Sequence, residues 1–189
     1  MSETIRSVGD PNLPIHRDLL IRCDRFSVER AEYIDAGGRK RWKDVIRHPG
    51  AVVILPILDD GRLCLIRNRR ITVGETLLEV PAGTLDPSET PEACAYRELK
   101  EETGYTAGKM DYVGSFYVSP GILDERMHLF FATDLTAGEQ DLMPDEQIVT
   151  ELISHESALN ALFSGEIKDA KTMISLLRYP LWQTQQDHG

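Results

Sequence analysis

The chain has 189 residues, 41% of them hydrophobic and 28% charged, and carries a net charge of −10. This describes one full-sized globular domain and excludes a disordered chain. The acidic balance argues against a nucleic-acid binder, which needs a basic footprint, and the longest apolar run, Ala51 to Leu58, is too short to span a bilayer.

Residues 1–17 are polar and broken by Pro11 and Pro14, which predicts a mobile terminus, and Met1 to Asp10 lacks the apolar core of a secretory signal. Leu19 to Tyr33 and Arg39 to Arg47 read as two strands around a turn at Asp35-Ala36-Gly37-Gly38, where the glycine pair supplies positive φ. Ala51 to Leu58 is a continuous apolar strand; Asp59-Asp60-Gly61 turns the chain into a returning strand over Arg62–Arg67. Leu77 to Val80 is a short strand running into the loop Pro81-Ala82-Gly83-Thr84-Leu85-Asp86. A helix is predicted from Pro91 to Thr103, capped by Thr90, with proline at its first position and Gly104 ending it in the left-handed conformation. Strands follow at Tyr112–Val118, Met127–Asp134 and Ile148–Ile153, then helices at Glu156–Phe163 and Asp169–Leu181, with Pro180 near the end of the last. Strands bracketing helices in this order predict an α/β sandwich around a mixed central sheet, with an N-terminal hairpin extension over 1–47 and the main domain over 48–189. Cys23, Cys64 and Cys94 are odd in number and share no metal-type spacing; Cys64 reads as a buried free thiol, and a reducing cytoplasm is the expected compartment.

The Pro91–Thr103 helix carries the chemistry. On a wheel of about 100° per residue with Glu98 at zero, Glu102 lies near ~40° and Glu101 near ~−60°. Ala95, Leu99, Thr103 and Tyr96 fill the adjoining arc from ~60° to ~160°, so the acidic stripe borders the core face. Such a stripe alone more often describes a solvated helix face. The loop ahead of it changes the weighting: Gly83 lets the backbone approach something closely and leaves the Ala82 carbonyl as an oxygen ligand. A carbonyl and two or three carboxylates form a partial oxygen shell of the kind Mg²⁺ uses, with Mn²⁺ a substitute, leaving room for water and substrate phosphate.

Gly83, then five residues, Glu89, then seven residues, then Arg97-Glu98-Leu99-Lys100-Glu101-Glu102-Thr103-Gly104-Tyr105 resembles the Nudix box over its 23 positions. Tyr105, aromatic where an aliphatic residue is usual, is the one atypical position. The resemblance implies an α/β/α sandwich and metal-dependent hydrolysis of nucleoside diphosphates linked to another moiety. It implies Glu98 and Glu102 as metal ligands, Glu101 as a ligand of an additional ion or a participant through water, and Glu89 with Arg97 as an ion pair supporting the Gly83 loop.

Further motifs are similar to the ADP-ribose pyrophosphatase branch over roughly residues 40–175: His48-Pro49-Gly50-Ala51-Val52-Val53, Glu79-Val80-Pro81-Ala82-Gly83, Ser119-Pro120-Gly121, Asp145-Glu146-Gln147-Ile148, and Gly165 to Lys171. By this resemblance Arg70, Pro120 and Gly121 contact substrate, and Glu146 accepts the proton of the attacking water, with Glu125 in reserve. The products would be AMP and ribose 5-phosphate. Where relatives often read Arg-Gln-Tyr-Arg, this chain has Arg67-Asn68-Arg69-Arg70, which leaves GDP-mannose or another nucleotide sugar open as substrate. The same branch implies a homodimer exchanging N-terminal segments, with Phe26, Tyr33 and Trp42 offering aromatic faces. The competing classes are a non-catalytic module binding ADP-ribose-type ligands and a purely structural acidic scaffold. The intact box weighs against the first, because a pure binder need not keep the metal carboxylates, and the second predicts no divalent-cation effect on thermal stability.

Overall fold

The computed structural model describes residues 16–144 and 146–186, so the polar stretch with Pro11 and Pro14, and Asp145, lie outside the described residues. The chain divides into two compact units, Met1–His48 with Ser119–Asp124, and Pro49–Val118 with Glu125–Gly189.

The first unit is an antiparallel sheet of β1 (His16–Arg22), β2 (Ser27–Ile34) and β3 (Lys40–Arg47), in that order. The expected single strand from Leu19 to Tyr33 is therefore two. Cys23 N donates to Phe26 O at 2.9 Å and reverses the chain at a turn that holds no glycine or proline to announce it. At the second turn only Gly38 takes positive φ, 75°, and the Asp35 carboxylate does the rest, accepting from Gly37 N at 2.9 Å and Arg39 N at 3.0 Å. Ser119–Asp124 joins this sheet: Ile46 N donates to Ile122 O at 2.8 Å, Asp124 N to Ile46 O at 3.1 Å, and Arg47 pairs with Asp124.

In the second unit a mixed sheet and an antiparallel sheet alternate along the chain. The strands are β4 (Ala51–Pro56), β5 (Leu63–Arg70), β6 (Glu75–Glu79), β7 (Ala82–Thr84), β8 (Thr106–Tyr117), β9 (Arg126–Thr136) and β10 (Ile148–Ile153). The mixed sheet runs β7-β4-β9-β8, parallel only between β4 and β9; the other runs β10-β5-β6. Strand β7 was expected as loop. Three residues are too few for a period-2 pattern, and β4 supplies the pairing, Ala51 opposite Thr84 and Val53 opposite Ala82. Strand β8 also starts earlier than expected, at Thr106.

The continuous apolar run of β4 follows from burial on both faces. Val52 and Ile54, with Phe130 and Ala132 of β9, meet Cys94, Ala95 and Leu99 of α1 (Pro91–Thr103). Val53 and Leu55, with Leu129 and Phe131, meet Leu63, Leu65, Leu78, α2 (His155–Phe163) and α3 (Ala170–Gln186). Helices thus cover both faces, the expected α/β/α sandwich. Each such aliphatic or aromatic side chain contributes about 1.5–3 kcal/mol on burial.

Helix α3 continues past Pro180 to Gln186, further than expected. Proline at 180 has no N–H for the Leu176 carbonyl, and His155 Nε2 takes that place at 3.2 Å. The same contact ties α2 to α3. Among the described residues no helix is long and apolar enough to cross a membrane, and all three cysteines are free thiols, Cys64 and Cys94 buried.

Candidate active site

Helix α1 begins and ends where local chemistry dictates. Thr90 Oγ1 accepts from Ala93 N at 3.2 Å, Pro91 occupies the first turn, and Gly104 closes the helix at φ 77° with its N–H on Lys100 O. Its buried face holds Cys94, Ala95, Leu99 and Thr103, and also Glu98 and Glu102, while Tyr96 is exposed. Two of the three carboxylates thus lie inside the core face that they were expected to border, and Glu101 is half-buried.

Burial of a carboxylate needs partners, and β7 provides them. Ala82 N donates to Glu102 Oε2 at 2.9 Å. Next to it, a Cβ placed on Gly83 would lie 1.8 Å from Glu98 Cδ, so glycine here makes the space that the Glu98 carboxylate fills. Arg97 organises the other side. It holds Glu89 through two bonds, Nε to Oε1 at 3.0 Å and Nη2 to Oε2 at 2.8 Å. It also reaches Glu98 at 2.7 Å, Glu101 at 3.0 Å and the Thr84 carbonyl at 3.3 Å.

The electrostatics follow. The Arg97 guanidinium holds Glu89 down at about 2. Burial pushes Glu98 above the ordinary glutamate range against the pull of Arg97. Burial pushes Glu102 up to about 8, against the Ala82 N–H and with help from the charge of Glu98. Glu146 adds to the negative field at both Glu98 and Glu102, while Arg70 opposes it at Glu102.

Glu146 lies in the loop before β10, half-buried, with its Oε2 accepting from Met143 N at 2.9 Å. This loop is fastened to the end of α1: Asp141 N donates to Glu101 O at 3.0 Å and Gln140 Nε2 to Glu102 O at 2.5 Å. Glu125 lies just ahead of β9, at the end of the mixed sheet where Met127, Ala51 and Thr84 share a row. Pro120 and Gly121 fall in Ser119–Asp124, which belongs to the first unit. Arg70 ends β5 with its guanidinium across Glu79, at 2.8 and 2.6 Å.

Glu79 and Lys171 entered the sequence reading only as letters of longer motifs. The usable signal was chemical: the single acid within the apolar strand expected over Leu77–Val80 must find a cation if buried, and Glu79 is 1% exposed.

Among the described residues no three acidic, histidine or cysteine side chains already converge as a ready-made ion cage. The donor set nevertheless fits a hard divalent cation. It is oxygen throughout, its two buried carboxylates repel one another, and such ions bind through one or two carboxylates while completing their shell with water and phosphate.

Comparison with known proteins agrees with this geometry. A family model described as NUDIX domain matches residues 47–176. An ADP-ribose pyrophosphatase of Bacillus subtilis (strain 168) is 39% identical over 141 residues, 74% of this chain and 76% of that protein. A GDP-mannose pyrophosphatase of Salmonella paratyphi B is 32% identical over 196 residues, 95% of this chain and 96% of that protein. A crystal structure titled as an ADP compounds hydrolase shares the fold, with a TM-score of 0.80 at 24% identity over 96% of this chain and 98% of that one.

Proposed function

Given that the chain belongs to the NUDIX domain family, we propose that it hydrolyses the diphosphate bond of a nucleoside diphosphate sugar, ADP-ribose before others, to AMP and ribose 5-phosphate. The observation that carries this is the buried pair Glu98 and Glu102 on α1, set against the Gly83 strand. Hydrolysis adds the elements of water across one P–O–P bridge, so each product leaves with its own phosphate.

Glu98 and Glu102 would hold Mg²⁺, or Mn²⁺ in its place, with Glu101 and the Ala82 carbonyl completing the protein's share of the oxygen ligands. The chemistry such an ion supplies when bound is neutralisation of the diphosphate charge and acidification of water. Glu146 accepts the proton from the attacking water, since its carboxylate already faces the field of both buried glutamates. Glu125 is the second candidate for that proton. Arg70 binds a diphosphate oxygen, its side chain 37% exposed and held on Glu79. Arg97 and Glu89 keep Glu98 and Glu101 in register with β7.

GDP-mannose is the second reading. The relative named for that substrate aligns over almost the whole chain, and Arg69 adds a cation where the ADP-ribose branch often has tyrosine. Free thiols at Cys23, Cys64 and Cys94 suit a reducing cytoplasm. The first unit exposes Leu19, Ile21, Phe26 and Trp42, which supports a homodimer formed through its sheet.

A hydrolysis panel with Mg²⁺ tests the substrate: ADP-ribose, GDP-mannose, NADH, ADP-glucose and diadenosine polyphosphates, with products identified by chromatography. The expected result is the highest kcat/KM on ADP-ribose, with AMP released. Preference for GDP-mannose would move the assignment to the second reading, and binding without any phosphate product would replace the enzyme with a ligand-binding module.

A further inference from the structure

Arg70 does not reach the acidic helix as a loose surface cation. Its Nε and Nη2 lie on the two oxygens of Glu79 at 2.8 and 2.6 Å, the fork geometry that fixes both the position and the plane of a guanidinium. Among the described residues Nη1 donates to nothing, the side chain is 37% exposed, and the clamping Glu79 lies three residues ahead of Ala82, whose N–H holds Glu102. The guanidinium is therefore clamped on one edge and open on the other, at the end of the strand that leads into the Ala82–Gly83 segment holding the buried carboxylates.

The clamp is itself held. Glu79 is 1% exposed, and an anion that deep is tolerated only with strong partners. Besides Arg70 it has Lys171, buried in the first turn of α3, whose Nζ bonds Glu79 Oε2 and stands 3.0 Å from Asp169 Oδ1. Asp169 Oδ2 accepts from Thr172 N at 3.0 Å and from its hydroxyl at 2.6 Å, and Thr172 Oγ1 accepts from Val80 N at 2.9 Å. The start of α3 thus grips both the side chain of Glu79 and the backbone beside it, two residues ahead of Pro81-Ala82-Gly83. Two cations and two carboxylates balance in charge, so the buried Glu79 stays ionised and holds Arg70 in place without spending that arginine's outer edge.

We propose that Glu79 is a positioning residue that aims Arg70 at the substrate's diphosphate, with Lys171 of α3 locking Glu79 in place. This rests on the hydrolase reading, in which Arg70 binds a diphosphate oxygen. A role confined to fastening α3 to β6 would stabilise the fold without passing through Arg70, and that difference can be measured.

The experiment is a double-mutant cycle on Arg70→Ala and Glu79→Gln, read in kcat/KM on ADP-ribose with Mg²⁺ and in Kd for ADP by calorimetry. A misaimed binding group costs on the order of 10- to 100-fold, so Glu79→Gln is expected to lose about that much, mostly as a raised KM. In the Arg70→Ala background the same change should have almost no further effect. Multiplying losses in the double variant, or a Glu79→Gln enzyme with wild-type kcat/KM and Kd, overturns the proposal. If Glu79→Gln does not fold, the charge-conserving Glu79→Asp takes its place, since a shorter carboxylate cannot span Arg70 and Lys171 together. Wild-type protein that binds ADP but turns over no nucleotide sugar sinks the hydrolase reading, and the cycle in Kd then still decides the role of Glu79. Wild-type protein without affinity for ADP sinks both.

Discussion

A methyl group at position 83 has one thing to displace, the Glu98 carboxylate. The hypothetical Cβ meets Cδ, Oε1 and Oε2 of Glu98 at 1.8, 1.9 and 2.2 Å, all at the end of a flexible side chain, and Gly83 does not need positive φ. Gly83→Ala should therefore leave the fold standing, with a loss in the range of about 1–3 kcal/mol typical of overpacking, while removing divalent-cation-dependent turnover. Thermal melting beside a Mg²⁺ titration of activity checks this; an active Gly83→Ala enzyme would contradict the placement of Glu98. Glu102 gives a second prediction, in pH. Its folded value of about 8 lies above an ordinary glutamate value of 4.5, because burial disfavours its charge. A group raised on folding contributes stability that is complete below the lower value and lost as pH rises through the higher one. Without divalent cation the melting temperature should thus fall between about pH 5 and pH 8, and Glu102→Gln should flatten that slope. An identical slope in both proteins would contradict the burial of an ionisable Glu102. The sequence made these residues legible because the Gly83-to-Glu102 spacing lies within one loop and one helix. Glu79 and Lys171 were not, because their contact joins residues 92 apart and no local period encodes it.

Elements with strong local chemistry were readable, and those defined by a partner were not. Helix α1 carries its own cap, first-turn proline and terminal glycine, so its bounds follow from the sequence alone. Strand β4, six residues long, announces itself by lying at the head of the eight-residue apolar run Ala51–Leu58. Strand β7 exists because β4 pairs with it, and the turn that separates β1 from β2 rests on one hydrogen bond between Cys23 and Phe26 without a glycine or proline. Pro180 is the opposite case. The residue reads as a stop, yet the helix continues because His155, distant in sequence, satisfies the carbonyl that proline leaves open. The loop ahead of β10 also gains its order from a distance, through two carbonyls at the end of α1 that need donors in any case. Those two bonds, from Gln140 and Asp141, fasten the segment ahead of the candidate proton acceptor Glu146 to the helix that carries the candidate metal carboxylates.

At the scale of the molecule, an acidic protein with a net charge of −10 has been assigned an anionic substrate, so the cations must be local. On the proposed function, Arg70, clamped by Glu79, and a divalent ion at Glu98 and Glu102 would supply them. The first unit bears on assembly. Its sheet leaves Leu19 at 50%, Ile21 at 55% and Trp42 at 59% exposure, apolar surface that a second protomer would cover in the proposed homodimer. Light scattering should give twice the chain mass of 21.3 kDa, and Ile21→Asp with Trp42→Asp should shift the protein toward monomer. A wild-type monomer at micromolar concentration would contradict the dimer. Whether the buried carboxylates of α1 support metal-dependent hydrolysis is decided by Mg²⁺-dependent ADP-ribose turnover in Glu102→Gln beside the wild type, with far-UV circular dichroism on both. The account predicts an intact fold and a loss greater than the roughly 10- to 100-fold seen when only a supporting partner of a metal ligand is removed. A folded Glu102→Gln protein with wild-type turnover would contradict it.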